Sequence, residues 1–175
     1  MLNDPIPLHV DPRKLADRNT TLEGSVPLAD LPRLCDPLSD SVGTVQARFV
    51  FDRDEDRTVV IHSDLSTEVQ MVCQRCLEPV TLPIHSECTY AVVKLGANTQ
   101  SLPTGYEVLE LGEDPLDLRD LLEDELLLAL PIVPAHHPEE CQPPAGANAP
   151  ESGAAEVQRP NPFSVLAQLK RDPNV

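Results

Sequence analysis

Between residues 42 and 93 the apolar positions recur every second residue: Val45, Ala47, Phe49 and Phe51 alternate with Gln46, Arg48 and Val50. A period of two places alternate side chains on opposite faces, so this is a strand with one buried face. The polar run at 52–57 makes a hairpin connection, with 58–65 as the return strand, 67–72 as a further strand and 79–93 as a long one. Segments this close in sequence pair antiparallel by default. Upstream, 6–10 reads as a short strand, 12–18 as a turn or small helix, and 20–26 as another strand. At 27–34 the spacing changes to three, and Leu28, Leu31 and Leu34 would bring one side of a short helix onto the sheet.

Residues 106–111 give one more strand, after which the chain turns helical. Asp114 is placed to cap, Pro115 suits the first helical position where a missing N–H costs nothing, and Asp117 suits the positive end of the helix dipole. Leu118, Leu121, Leu122 and the run 126–130 give the helix an apolar face, which Pro131 closes. Glu123, Asp124 and Glu125 are consecutive and do not converge on one point, so they read as its wet side. The stretch 138–159 is rich in Pro, Ala, Gly and Glu and reads as a disordered linker. A last helix over 160–171 begins with Asn161 and Pro162 and sets Phe163, Leu166 and Leu169 on one face. It is too short to be stable alone in water, so it docks either on its own domain or in a groove of a partner.

Composition sharpens this picture. A length of 175 residues suits one domain, here 1–137, with appendages. Aromatics are only 3% with no Trp, so the core must be aliphatic, and 19 prolines imply many broken segments. No signal-like start or membrane-length apolar run is present, which points to the cytoplasm and to no membrane partner. Five cysteines at irregular spacing then fit reduced thiols. The net charge of −16 is concentrated: thirteen acids and one base, Arg119, fall between residues 107 and 156. Such a chain is a poor candidate for wrapping RNA over its whole face, and it suits either a basic protein partner or simple solubility.

Cys73 and Cys76 carry the spacing that suggests metal or redox chemistry. Two cysteines separated by two residues can hold one zinc from a tight turn, but a structural site wants four ligands, and His136, His137 and Cys141 are the candidates for the remainder. A metal-free packed turn is the competing reading. A thioredoxin-like role fits poorly, because the pair lies between two strands and not at a helix N-terminus. Arg75 in the turn, with Arg48, Arg53 and Arg57 nearby, could meet phosphate, although the hairpin acids favour a solvated tip. Cys35 and Cys88 read as small core residues, and His62 and His85 as ordinary strand positions. No phosphate loop, dinucleotide fingerprint, nucleophile elbow or zinc-hydrolase motif is present, so an enzyme is not expected.

Three marks occur together in order: Cys73-Gln74-Arg75-Cys76, the acidic-then-leucine helix ending in Leu130-Pro131-Ile132-Val133-Pro134, and the closing Pro160-Asn161-Pro162-Phe163. On these residues the chain resembles the YceD family of bacterial large ribosomal RNA subunit accumulation proteins, over nearly its whole length. The resemblance places His136, His137 and Cys141 where relatives carry His or Cys. It implies a non-enzymatic factor supporting synthesis, processing or stability of 23S ribosomal RNA, whose gene commonly neighbours that of a large-subunit ribosomal protein.

The expectation is therefore an α+β domain: an antiparallel, barrel-like sheet with a packed amphipathic helix and a short tethered C-terminal helix. The acidic residues Asp117, Asp120, Glu123 and Asp124, with Phe163, Leu166 and Leu169, are the expected contacts for a basic large-subunit ribosomal protein or a pre-ribosomal particle. Contact with ribosomal RNA would then be indirect. The competing expectation is a zinc module on Cys73 and Cys76 that touches RNA directly through Arg75 and Arg48.

Overall fold

The computed structural model describes residues 6–99 and 102–142. β1 (His9–Val10) leads into α1 (Pro12–Ala16), where the Asp11 carboxylate accepts from the backbone N–H of Arg13 at 3.1 Å and Pro12 opens the helix. β2 (Thr21–Pro27) is followed by a 3-10 turn at Leu28–Asp30 and by α2 (Pro32–Cys35). The single helix expected at 27–34 is split because Pro32 starts a new one, yet Leu28, Leu31 and Leu34 are all fully buried as expected.

β3 (Thr44–Arg53), β4 (Val59–Val72) and β5 (Pro79–Lys94) form the centre of the fold, followed by β6 (Glu107–Leu111), β7 (Leu116–Asp117) and α3 (Leu118–Ala129). The strands expected separately at 58–65 and 67–72 are one strand, β4, which pairs with β5 without a break from Val59 opposite Val92 to Val72 opposite Pro79. The sheet runs β2-β3-β4-β5-β6, antiparallel except for the parallel pair β5–β6, and β1 and β7 form a separate two-stranded ladder. The α+β class stands. Barrel closure is not found among the described residues, because β2 and β6 remain edges; beyond β6 the chain leaves to pair with β1 and enters α3.

One face of the sheet is wet, with Arg48, Asp64 and Glu87 opposite one another on β3, β4 and β5. The other carries the core: Phe49, Phe51, Ile61 and Leu65 pack with Leu28, Leu31 and Leu34 and with Leu118, Leu122 and Leu126 of α3. Each such side chain contributes about 1.5–3 kcal/mol on full burial, so an aliphatic core of this size makes up for the scarcity of aromatics. No helix among the described residues is long and apolar enough to cross a membrane.

α3 begins later than the Asp114-Pro115 signal suggests. Leu116 and Asp117 are held extended by pairing with Val10 and His9, and the Leu118 N–H donates to Leu8 O at 2.9 Å. Asp117 is therefore the cap itself and not a first-turn residue, its carboxylate accepting from the N–H of Arg119 at 2.8 Å and of Asp120 at 3.2 Å.

Candidate metal centre

The turn joining β4 to β5 is tight: the Cys73 N–H donates to Glu78 O at 2.9 Å and the Leu77 N–H donates to Cys73 O at 2.9 Å. It requires Leu77 to sit at φ +65°, a left-handed conformation that glycine adopts far more readily. Both thiols are turned inward, with Cys73 completely buried.

Pro131 ends α3, and the extended segment that follows runs back to this turn, where the Gln74 N–H donates to Pro134 O at 2.8 Å. His137 O then accepts from the N–H of Glu140 at 3.0 Å and of Cys141 at 3.2 Å, a turn that brings Cys141 home. Cys73 Sγ lies 3.8 Å from Cys141 Sγ, and Cys76 Sγ lies 3.3 Å from His136 Nδ1. The four ligand atoms of Cys73, Cys76, His136 and Cys141 all fall within 4.8 Å of one another. Together with Val80 the three cysteines make a small apolar cluster separate from the main core.

This donor set fits zinc. Four arms with Zn–S near 2.3 Å in a tetrahedron place sulfurs about 3.8 Å apart, whereas a disulfide would hold them at about 2.05 Å. His136 Nε2 lies 3.0 Å from Pro79 O, and a carbonyl only accepts, so Nε2 carries the proton and Nδ1 presents its lone pair to the cluster. A second ring nitrogen tied to a backbone carbonyl is the usual support of a metal-ligating histidine. The Cys73 thiol is held well below the ordinary thiol range, chiefly by the Cys76 N–H, with those of Arg75 and His136 adding and burial opposing. That favours the thiolate, the form that ligates.

Of the five metal candidates the structure brings together four and leaves His137 exposed, supplying only its carbonyl to the turn. Within the stretch expected as linker from 138, residues 138–140 are exposed and Cys141 is buried. The remainder of that stretch and the helix at 160–171, including Phe163, Leu166 and Leu169, lie outside the described residues.

The two arginines considered for RNA do not converge. Arg48 pairs with Glu23 at 2.9 Å on the wet face, and Arg75 Nη2 donates to Pro138 O at 3.3 Å. Asp64, opposite Arg48, is eight positions along β4 from Val72, or about 26 Å at about 3.3 Å per residue.

The acidic helix also differs from the expectation. Glu123 and Glu125 are buried, 4% and 7% exposed, so they are not part of a wet side. Glu123 is held by Arg33, with Arg33 Nε on its Oε2 at 2.9 Å, and Arg33 Nη1 reaches Asp124 at 2.6 Å. Glu125 accepts from Ser86 Oγ at 2.7 Å and from the Tyr90 hydroxyl. Asp120 and Asp124 remain exposed. His85 has companions that reading along the strand missed: Glu87 at 3.2 Å and Asp64 at 3.7 Å. The His85-x-Glu87 spacing, which puts both on one strand face, was the available signal.

The family model for the large ribosomal RNA subunit accumulation protein YceD matches residues 61–170, which include the whole cysteine turn and α3. Among curated proteins, the chain is 36% identical over 171 residues to the large ribosomal RNA subunit accumulation protein YceD of Haemophilus influenzae, covering 95% of this chain and 97% of that protein. No solved structure matches the chain. With the cysteine turn, the leucine helix and the Leu-Pro-Ile-Val-Pro segment all inside the matched region, this chain belongs to the YceD family.

Proposed function

We propose that this protein is a non-enzymatic accessory factor of large ribosomal subunit biogenesis, acting in the cytoplasm to support synthesis, processing or stability of 23S ribosomal RNA. It does so by binding a basic large-subunit ribosomal protein or a pre-ribosomal particle, on a module clasped by zinc. The name of its Haemophilus influenzae relative, large ribosomal RNA subunit accumulation protein, supports the biological role. The observation that carries the mechanism is the donor set: three thiols and one imidazole use all four positions of a tetrahedral zinc. Catalytic zinc keeps a position open for water or substrate, so a closed set fits a structural clasp. Here Cys73 and Cys76 would hold one side, and His136 and Cys141 would fasten the segment after α3 to the β4–β5 turn.

Direct RNA contact is the weaker reading, since Arg48 and Arg75 are each engaged within the protein and lie far apart. The test is complementation. In bacteria lacking their own copy, the wild-type chain should restore the ratio of 23S to 16S ribosomal RNA, whereas the Cys73→Ser, Cys141→Ser double variant should not. Full restoration by the double variant would remove the clasp from the mechanism, and no restoration by the wild type would sink the proposed role.

A further inference from the structure

Leu77 combines two unfavourable features. Its φ of +65° is strained for any residue with a Cβ, and its side chain is 67% exposed. A glycine would hold the same turn with less strain, so fold stability alone does not account for a leucine. Ile132 is 99% exposed and Val133 66% exposed, in the segment whose Pro134 carbonyl accepts from the Gln74 N–H of the same turn. Single exposed apolar residues are ordinary, but these three are large aliphatics presented by two segments that are fastened together at the β4–β5 turn.

The charge beside them is one-sided. Glu78, Glu139 and Glu140 are exposed on the same two segments, and the single cation there, Arg75, already donates to Pro138 O. Exposed apolar side chains on segments that carry acidic residues and no free cation disfavour phosphate and attract cationic side chains.

We propose that Leu77, Ile132 and Val133 form a docking surface for a basic segment of a partner protein that presents its own apolar residues, for example a lysine-rich amphipathic helix. The inference rests on the clasp reading, because the zinc would hold the two halves of the surface in register. It moves the contact from the acidic face of α3, where Arg33 occupies Glu123 and Asp124, to the β4–β5 turn and the segment fastened to it.

The test uses the full chain and two fluorescent peptides of equal charge, one with lysines and leucines on opposite helical faces and one with each leucine replaced by serine. The leucine peptide should bind about tenfold or more tightly than the serine peptide, as expected for burying a few aliphatic groups. Ile132→Ser with Val133→Ser should remove that preference while zinc content and melting temperature stay unchanged. Leu77→Gly should weaken binding and, by relieving the strained turn, leave melting unchanged or raised.

Equal binding of the two peptides, or binding of neither, overturns the proposal. So does displacement of the leucine peptide by an RNA hairpin whose own binding needs Ile132, or a dimer in sedimentation that the Ile132→Ser, Val133→Ser variant abolishes. Peptide preference that persists in a metal-free wild-type protein would support the surface and refute the clasp, which keeps the two failures distinct.

Discussion

Glu123 holds Arg33 at two points, across 90 residues of sequence: its Oε1 accepts the Arg33 backbone N–H at 2.9 Å and its Oε2 accepts Arg33 Nε at 2.9 Å. The first bond caps α2, whose own N-cap residue, Leu31, has no side chain able to do so. One carboxylate thus ties α2 to α3 and satisfies a helix end.

Arg33→Ala should therefore destabilise the fold. The substitution leaves buried Glu123 with only its backbone donors, and the loss is smaller than on breaking a fully buried pair because the Arg33 side chain is half exposed. Chemical denaturation checks this, and an unchanged midpoint would show the pair to be idle. Charge reversal at Asp124, which also bonds Arg33, should cost stability before it reports on any partner.

Tyr90→Phe removes a donor to buried Glu125, which keeps the Ser86 hydroxyl as a partner. A loss of about 1–3 kcal/mol is expected, because an undersatisfied buried carboxylate bears its desolvation cost. Ser86→Ala should behave similarly, and the double variant should show coupling in a mutant cycle.

The same corner predicts alkaline sensitivity. Burial foremost, then Glu125, pushes the Cys88 thiol from 9.0 to about 11, and Tyr90 is raised by burial and the same carboxylate. Both groups keep their protons longer in the folded state, so above pH 9 the unfolded chain binds fewer protons and stability falls as pH rises. The Tyr90 contribution is fully present below pH 10 and declines only above it, while that of Cys88 is fully present below pH 9 and lost towards 11. The denaturation midpoint should drop between those values, and Cys88→Ala should flatten the drop.

Much of this fold can be read from the chain. The period of two gives β3 to β5, and the spacing of Leu28, Leu31 and Leu34 gives a buried apolar side even though Pro32 breaks the helix. What cannot be read locally is what tertiary pairing decides. Asp114-Pro115 is a sound helix start overridden by the ladder of Leu116 and Asp117 with β1. Glu123 and Glu125 look wet because their partners, Arg33 and Tyr90, lie far away in sequence. At the candidate metal centre all four clustered residues are visible as candidates in the sequence, but His136 cannot be told from His137 there. Neighbouring residues point apart, and only the turn closed on the His137 carbonyl decides which ring faces the thiols.

His136 and His137 thus offer a paired control. His136→Ala should lower zinc affinity by an order of magnitude or more, about the loss expected on removing a ligand or its support, while His137→Ala should leave it unchanged. Equal effects would contradict the assigned tautomer and geometry.

The most direct measurement is the metal content of the full chain, purified without chelator under reducing conditions and read by native mass spectrometry beside a thiol titration. One zinc per chain is expected, with Cys73, Cys76 and Cys141 protected from alkylation until acid or chelator releases the metal, and with the zinc lost in Cys141→Ser. A metal-free protein whose three thiols alkylate as freely as in the unfolded chain, even after zinc is added back, would contradict the clasp.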